Sequence, residues 1–343
     1  VSYSEFGTNV KVNLSVSTQG IIANNTGVTT GVLDTLTNIQ NVTTGGGNDT
    51  IWAGSTASVI KTGAGTDTIY GGTGVETIDA GSGNDYIYAS AGNDVIDGAD
   101  DSDTVDYSSS TTGITVTLAN DGALTSLNHN IGGDFTDSLT NIEGIKGSST
   151  VSNNLVGNNQ NNTLIGGDLT DIIKGVSGNN SLYGGSGNDT IFAGTGNDTI
   201  DGGTGNDDWL NYSDLSGSTN VSVNLGDGVA TYGSSKDSIT AIEHLTMGNG
   251  TNLVQGNQSA NSFVGGTGTD TLSYTGATAG ITLNVTSNGA GTTTGDGADT
   301  FLNFENYTLS DNADTANLSG VHGSKIDGGA LSDTASYSTV GSG

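Results

Sequence analysis

A beat of nine residues constrains this chain more than any other feature. In "GGSGNDTIFAGTGNDTIDGGTGND", from Gly184 to Asp207, glycine, an Asn-Asp pair and one aliphatic residue return in step. Acids or their stand-ins occupy the same grid earlier, at Asp49, Ser58, Asp67, Glu76, Asp85, Asp94 and Asp103. Two residues after each comes an aliphatic: Ile51, Ile60, Ile69, Ile78, Ile87, Ile96 and Val105. A second array runs Asn153, Asn162, Asp171, Asn180, Asp189, Asp198 and Asp207, with Leu155, Leu164, Ile173, Leu182, Ile191, Ile200 and Trp209 as its apolar column. A shorter third run has Asn252, Asn261 and Asp270 with Val254, Phe263 and Leu272. A phase held this long belongs to a repeat architecture that grows in one dimension.

Within each beat the first six residues are turn formers and the last three, such as "TIF" (Thr190 to Phe192), suit a short strand. Glycine reaches positive φ and leaves backbone carbonyls uncovered. The central aliphatic points inward, because strand neighbours alternate faces. Two beats then complete one coil of two strands and two turns, and coils stack about 4.8 Å apart. Such stacking sets Asp67, Asp85 and Asp103 on one edge and Glu76 and Asp94 on the other. In the second array Asp171, Asp189 and Asp207 share an edge, opposite Asn180 and Asp198. Carboxylates at that spacing repel by about 1 kcal/mol per pair in water and about 3.5 kcal/mol at an effective dielectric of about 20. A hard cation reverses the sign. Calcium takes roughly six to eight oxygens, which a carboxylate pair and turn carbonyls can supply.

Composition agrees with a thin core. The 343 residues include 58 glycines, no proline and no cysteine, and only 32% are hydrophobic. Asp plus Glu number 36 against 6 Lys plus Arg, a formal charge of -30. That balance excludes nucleic acid as a partner, since phosphate needs a basic stripe. Without cysteine there are no disulfides and no thiol chemistry. No apolar run reaches the length of a transmembrane helix, and no amino-terminal export signal is visible. If the protein is exported, its address lies outside this sequence or is not a cleaved amino-terminal one.

"GGSGNDTIF" (Gly184 to Phe192), "AGTGNDTID" (Ala193 to Asp201) and "GSGNDYIYA" (Gly81 to Ala89) resemble the repeats-in-toxin (RTX) nonapeptide, G-G-x-G-x-D-x-U-x. The resemblance spans Gly45 to Val105 and Asn161 to Leu210, and in part Asn252 to Leu272. It implies an all-β fold, a right-handed parallel β-roll or β-helix solenoid with several Ca2+ ions between consecutive turns. It also implies an exported bacterial protein that folds after secretion, at or near the cell surface. The expected metal ligands are Asp49, Asp67, Glu76, Asp85, Asp94, Asp103, Asp171, Asp189, Asp198, Asp207 and Asp270. Ser58, Asn153, Asn162, Asn180, Asn252 and Asn261 offer no charge; metal is expected to be weak or absent there, with the asparagines forming a side-chain ladder. The turn "AGSTAS" (Ala53 to Ser58) also lacks the middle glycine.

A slower repeat contains the short one. "VSYS", "VDYSSS", "LNYSDL", "LSYTGA" and "ASYSTV" recur around Tyr3, Tyr107, Tyr212, Tyr274 and Tyr337. The first four are followed by an alternating strand, a polar loop, and "DTLTNIQNV", "DSLTNIEGI", "DSITAIEHL" or "DTFLNFENY". The plan gives modules at 1–103, 104–208, 209–270 and 271–333, with a fifth beginning at 334–343. Polar stretches such as Asn120 to Thr136 are expected as loops extruded from wider coils, and the fourth module slips off the nine-residue grid. A chain that opens on one copy and closes inside another reads as a slice of a longer repeat protein, or as a unit that meets its neighbours end to end.

No catalytic constellation emerges. His129, His244 and His322 form no His-Glu-x-x-His motif, and no serine sits in a nucleophile elbow. His129 is expected in a loop and His244 on a strand face. Trp52 with Tyr70, Tyr86 and Tyr88 makes an aromatic strip that suits a cell-surface polysaccharide, or packing over the solenoid face. The sequence therefore reads as a non-enzymatic, calcium-dependent extracellular structural or adhesive repeat protein: surface layer, filament, biofilm matrix or RTX adhesin. The alternative is the calcium-binding carboxy-terminal region of an enzyme or toxin exported by type I secretion.

Overall fold

The computed structural model describes residues 1–5, 7–15, 36, 38–120, 122–286, 289–320 and 323–338. Asp34, which opens "DTLTNIQNV", and His322 lie outside the described residues. The described regular elements are β-strands of three to seven residues, arranged in two compact units, Val1–Gly175 and Val176–Gly343.

In the first unit the apolar grid becomes two parallel ladders. Thr50–Trp52, Thr68–Tyr70, Tyr86–Tyr88 and Thr104–Asp106 pair so that Ile51, Ile69, Ile87 and Val105 stack in register. Asn41–Thr43, Ser58–Lys61, Glu76–Asp79 and Val95–Asp97 form a second sheet that aligns Val42, Ile60, Ile78 and Ile96. Successive strands alternate between the sheets, so each coil contributes two inward aliphatics. All eight are at most 2% exposed. Each buried aliphatic contributes roughly 1.5–3 kcal/mol, so a core one side chain wide is assembled coil by coil.

The turns stack as closely as the strands. Gly63 and Gly65 have φ of +102° and +133°, and Gly81 and Gly83 repeat this at +99° and +115°. A Cβ on Gly81 would strike the Gly63 carbonyl oxygen of the preceding coil. One coil later Ala99 and Asp101 hold the same left-handed positions at 72° and 81°. Side chains there cost about 1–2 kcal/mol each.

The tyrosine-marked segments depart from a purely parallel roll. After Thr104–Asp106 the strand Thr115–Thr117 enters a third sheet beside Asn154–Val156. Thr125–Asn130 and Asp134–Thr140 then form an antiparallel hairpin, whose second strand resumes the ladder over Val95–Asp97. Most of Asn120 to Thr136, expected as an extruded loop, is therefore sheet. The cause is its alternation, which buries Thr125, Leu127 and His129 in succession.

The second unit contains two such meanders. Val221–Asn224, Val229–Tyr232 and Ser235–Thr240 run antiparallel, and the outer strands join parallel neighbours at Leu253–Gln255 and Thr199–Thr204. Thr282–Val285, Gly291–Thr294 and Thr300–Leu302 repeat the device between Thr315–Ser319 and Ser262–Val264. A buried tyrosine precedes each meander: Tyr107, Tyr212 and Tyr274.

Candidate metal-binding columns

Each grid aspartate stands immediately before a strand, and Glu76 opens one, where the side chain folds back along the stack. Asp67 Oδ1 accepts the Asp49 amide at 2.6 Å, Asp85 Oδ1 the Asp67 amide at 2.7 Å, and Asp103 Oδ1 the Asp85 amide at 2.8 Å. Asp49 accepts from Val10 at 2.6 Å, and Asp94 from Glu76 at 2.8 Å. In the second unit Asp198 accepts the Asn180 amide at 2.7 Å and Asp270 the Asn252 amide at 2.8 Å. One oxygen of each carboxylate thus ties one coil to the next.

The other oxygen is buried without a hydrogen bond. This holds for Oδ2 of Asp49, Asp67, Asp85, Asp103, Asp198 and Asp270, and for Oε1 of Glu76. The nearby hydroxyls of Thr44 and Thr62 donate instead to the carbonyls of Thr62 and Ala80. Burial, with the neighbouring carboxylates, pushes the acids upward: Asp67 to about 6, Asp85 and Asp94 to about 7, and Asp103 to about 8. Burial likewise raises Asp171 and Asp270 to about 6 and Asp198 to about 7. Buried polar atoms are normally paired; a repeated orphan oxygen marks a place where something positive belongs.

The asparagines on the grid reveal the donor set. Asn252 Nδ2 lies 3.3 Å from Gly248 O, 3.4 Å from Gly250 O, 3.2 Å from Gly265 O and 2.9 Å from Asp270 Oδ1. Asn153 Nδ2 likewise meets Ser148 O at 3.0 Å, Gly166 O at 3.3 Å and Asp171 Oδ1 at 2.9 Å. At these two positions the amide donates to turn carbonyls and to the aspartate of the next coil, rather than to a ladder of asparagines. The cradle is rich in oxygen, and a neutral NH2 with two protons sits in it. Aspartate brings no proton to the equivalent position, so a proton or a cation must balance the oxygens. The chemistry of the cradle fits calcium, a hard ion taking carboxylate and carbonyl oxygen. Among the described residues no three His, Asp or Glu side chains converge. Each turn supplies one carboxylate, and the remaining donors would be backbone carbonyls.

One expected residue is misplaced by a single position. Asp208, not Asp207, continues the column: its Oδ1 accepts the Asp189 amide at 2.7 Å, and it is 1% exposed. The "GNDDW" turn has one extra residue, and Leu210 rather than Trp209 takes the inward place opposite Ile191. Asp207 faces solvent with its carboxylate 3.0 Å from His244 Nε2. The apolar residue two before each tyrosine, Val105, Leu210 and Leu272, carried the signal for this register.

Sequence reasoning also passed over six acids in or just beyond the meanders. Asp137, Asp237 and Asp299 accept the amides of Asp94, Asp198 and Asn261 at 2.8, 2.9 and 2.9 Å. Six residues later Glu143, Glu243 and Glu305 accept those of Asp103, Asp208 and Asp270 at 3.0, 3.0 and 2.9 Å. The recurring D-x5-E of "DSLTNIE", "DSITAIE" and "DTFLNFE" was the available sign. The three aspartates differ from the grid acids, because Oδ2 accepts the hydroxyl of Tyr107 at 2.9 Å, Tyr212 at 2.8 Å or Tyr274 at 2.8 Å.

Elsewhere, His129 is a buried strand residue rather than a loop residue, with Nε2 3.1 Å from Asp137 Oδ2. His244 lies on a strand against Trp209, with ring centroids 4.8 Å apart. Trp52, Tyr70 and Tyr88 stack at 5.4 and 4.5 Å, within 3° of parallel. Both faces of Tyr70 are therefore covered, and a sugar would find ring faces only at the ladder's ends.

No curated protein matches the chain. Residues 43–75, 70–105, 150–175, 174–208 and 248–276 match the family described as RTX calcium-binding nonapeptide repeat (4 copies). These segments coincide with the three arrays and with the columns of buried carboxylates between their coils. The chain carries, in the arrays of both units, the calcium-binding nonapeptide repeats of the RTX family.

Proposed function

We propose that the grid acids of this calcium-binding repeat protein hold Ca2+ in their columns, and that the ions make folding and stiffness depend on external calcium. The ligands would be Asp49, Asp67, Glu76, Asp85, Asp94, Asp103, Asp171, Asp189, Asp198 and Asp270, with Asp208 in place of Asp207. Turn carbonyls of the kind that surround Asn252 Nδ2 would complete each site. One observation carries the reading: the same carboxylate oxygen is buried without a hydrogen bond in coil after coil. Bound calcium would neutralise columns that otherwise repel, and so join each coil to the next.

The wider role we assign is structural or adhesive, outside the cell. Repeats of this family typically serve proteins exported by type I secretion, which fits that location. Antiparallel meanders alternate with calcium arrays through both units, a tiling suited to an extended scaffold rather than to one contiguous block beside a catalytic domain. Self-association through stacked ends is part of this reading. Circular dichroism of metal-stripped protein at neutral pH, followed by calcium addition, tests the first claim; β-structure unchanged by calcium would refute it. Sedimentation and negative-stain images at rising calcium test the second, where monomers alone at high protein concentration would count against assembly.

A further inference from the structure

The aspartate that ends a column differs from those within it. In the arrays Oδ2 of Asp49, Asp67, Asp85, Asp103, Asp198 and Asp270 is left without a donor; in Asp137, Asp237 and Asp299 a buried tyrosine hydroxyl fills that oxygen. Around Asp237 the closure is double. Tyr212 donates to Oδ2 at 2.8 Å. Tyr232, from the middle strand of the meander, places its hydroxyl 3.2 Å from Gly194 O, 3.0 Å from Gly196 O and 3.3 Å from Asp237 Oδ1. Those carbonyls belong to the glycine turn that leads into Asp198, whose own Oδ2 is orphaned. Three oxygens therefore share one hydroxyl proton. Two turn carbonyls and a carboxylate of the next layer also surround the Asn252 amide nitrogen. All three side chains are buried: Tyr212 and Asp237 at 0% and Tyr232 at 6% exposure.

We propose that Tyr212 and Tyr232 seal this end of the calcium column: the Tyr232 hydroxyl occupies the cradle between the Gly194–Gly196 turn and Asp237, so that Asp237 binds no ion. The hydroxyl acts as a fixed, neutral substitute for the cation. It satisfies the carbonyls in part, whether or not metal is present, and excludes an ion by occupying its place. The first unit uses the same register position differently. Tyr232 lies two residues beyond Ala230, which pairs with Asp237, and His129 lies two beyond Leu127, which pairs with Asp137. His129 fills the corresponding position beside Asp137, where Tyr107 already caps Oδ2. The meanders would thus set how many ions each array takes.

This inference rests on the reading of the arrays as calcium sites. The test is calcium titration of the full metal-stripped chain by calorimetry, with ions per chain as the readout and circular dichroism as the check on folding. Asp237→Asn removes the charge and keeps one of the two acceptor oxygens, for the Asp198 amide and Tyr232, while its NH2 can donate to the Tyr212 hydroxyl oxygen; the ion count should equal that of the wild type, and loss of an ion would overturn the proposal. The double variant Tyr212→Phe/Tyr232→Ala opens the cradle and should bind one additional ion. A folded double variant without the extra ion overturns the proposal, and if that variant fails to fold, Asp237→Asn decides alone. A wild-type chain that takes up no calcium overturns the array reading as well; a wild-type chain that binds calcium confines either failure to the seal.

Discussion

If the first array holds calcium as proposed, removing it turns pH into the variable that decides whether the array folds. Asp49, Asp67, Asp85 and Asp103 stand in successive coils, each bonded to the backbone of the one before. At a strand spacing of about 4.8 Å and an effective dielectric of about 20, two ionised neighbours repel by about 3.5 kcal/mol. Three neighbouring pairs then amount to about 10 kcal/mol, as large as the stability of an ordinary domain, about 5–15 kcal/mol. The fold avoids this by keeping protons: burial raises Asp67 to about 6, Asp85 to about 7 and Asp103 to about 8. Because these values lie above that of an unfolded aspartate, about 3.9, the metal-free folded chain binds more protons than the unfolded one. Its stability is then fullest below about pH 4 and is lost as pH rises through 6 to 8.

Metal-stripped protein should therefore gain β-structure as it is acidified from pH 8.5 to 5, followed by far-UV circular dichroism. Saturating calcium at pH 8 should give the same spectrum. Asp85→Asn removes the central charge of the column and should shift the metal-free midpoint to higher pH. Calcium displaces protons from the same oxygens, so apparent affinity should fall as pH drops through 8 to 6. A metal-free spectrum that is fully folded at pH 8, or an acid limb that loses structure over this range, would refute the electrostatic account.

Two further outcomes follow from individual contacts. Asp208→Ala should lower the calcium taken up per chain while Asp207→Ala leaves it unchanged, since only Asp208 lies in the column; calorimetric titration of both variants checks the register. Tyr212→Phe should cost about 1.5–3 kcal/mol, the usual range for a hydrogen bond to a charged group, read by denaturant unfolding in calcium. Tyr274→Phe should cost less, because Thr293 Oγ1 still donates to Asp299 Oδ2 at 3.1 Å; equal losses would contradict this.

The arrays were legible because three signals share one period. Ile51, Ile69 and Ile87 fix the inward face, the glycines fix the turns, and Asp67, Asp85 and Asp103 then fall between coils without further assumptions. Asp208 was not legible from the grid, since "GNDD" offers two adjacent acids and only the inward residue, Leu210, distinguishes them. The roles of Asp137, Asp237 and Asp299 were hidden for a different reason. Their partners Tyr107, Tyr212 and Tyr274 lie 30, 25 and 25 residues away, separations set by hairpins whose lengths no short period encodes. The strand that follows each tyrosine was visible as alternation, but the returning strands, such as Thr125–Asn130, were read as polar loop, because antiparallel pairing requires knowing where the chain reverses, and the polar reversals carry no apolar signal.

The stacked ladder of Trp52, Tyr70 and Tyr88 gives the first unit an optical signature. Its rings come from three successive coils and lie 5.4 and 4.5 Å apart, nearly parallel. Aromatic chromophores at that separation couple as excitons, and tyrosine excitation passes efficiently to the indole. Trp52 is the only tryptophan of its unit, and Trp209, the other in the chain, sits against His244 in the second. Near-ultraviolet dichroism and tyrosine-sensitised emission from Trp52, read in a Trp209→Phe background, therefore respond to the winding of these three coils without a label.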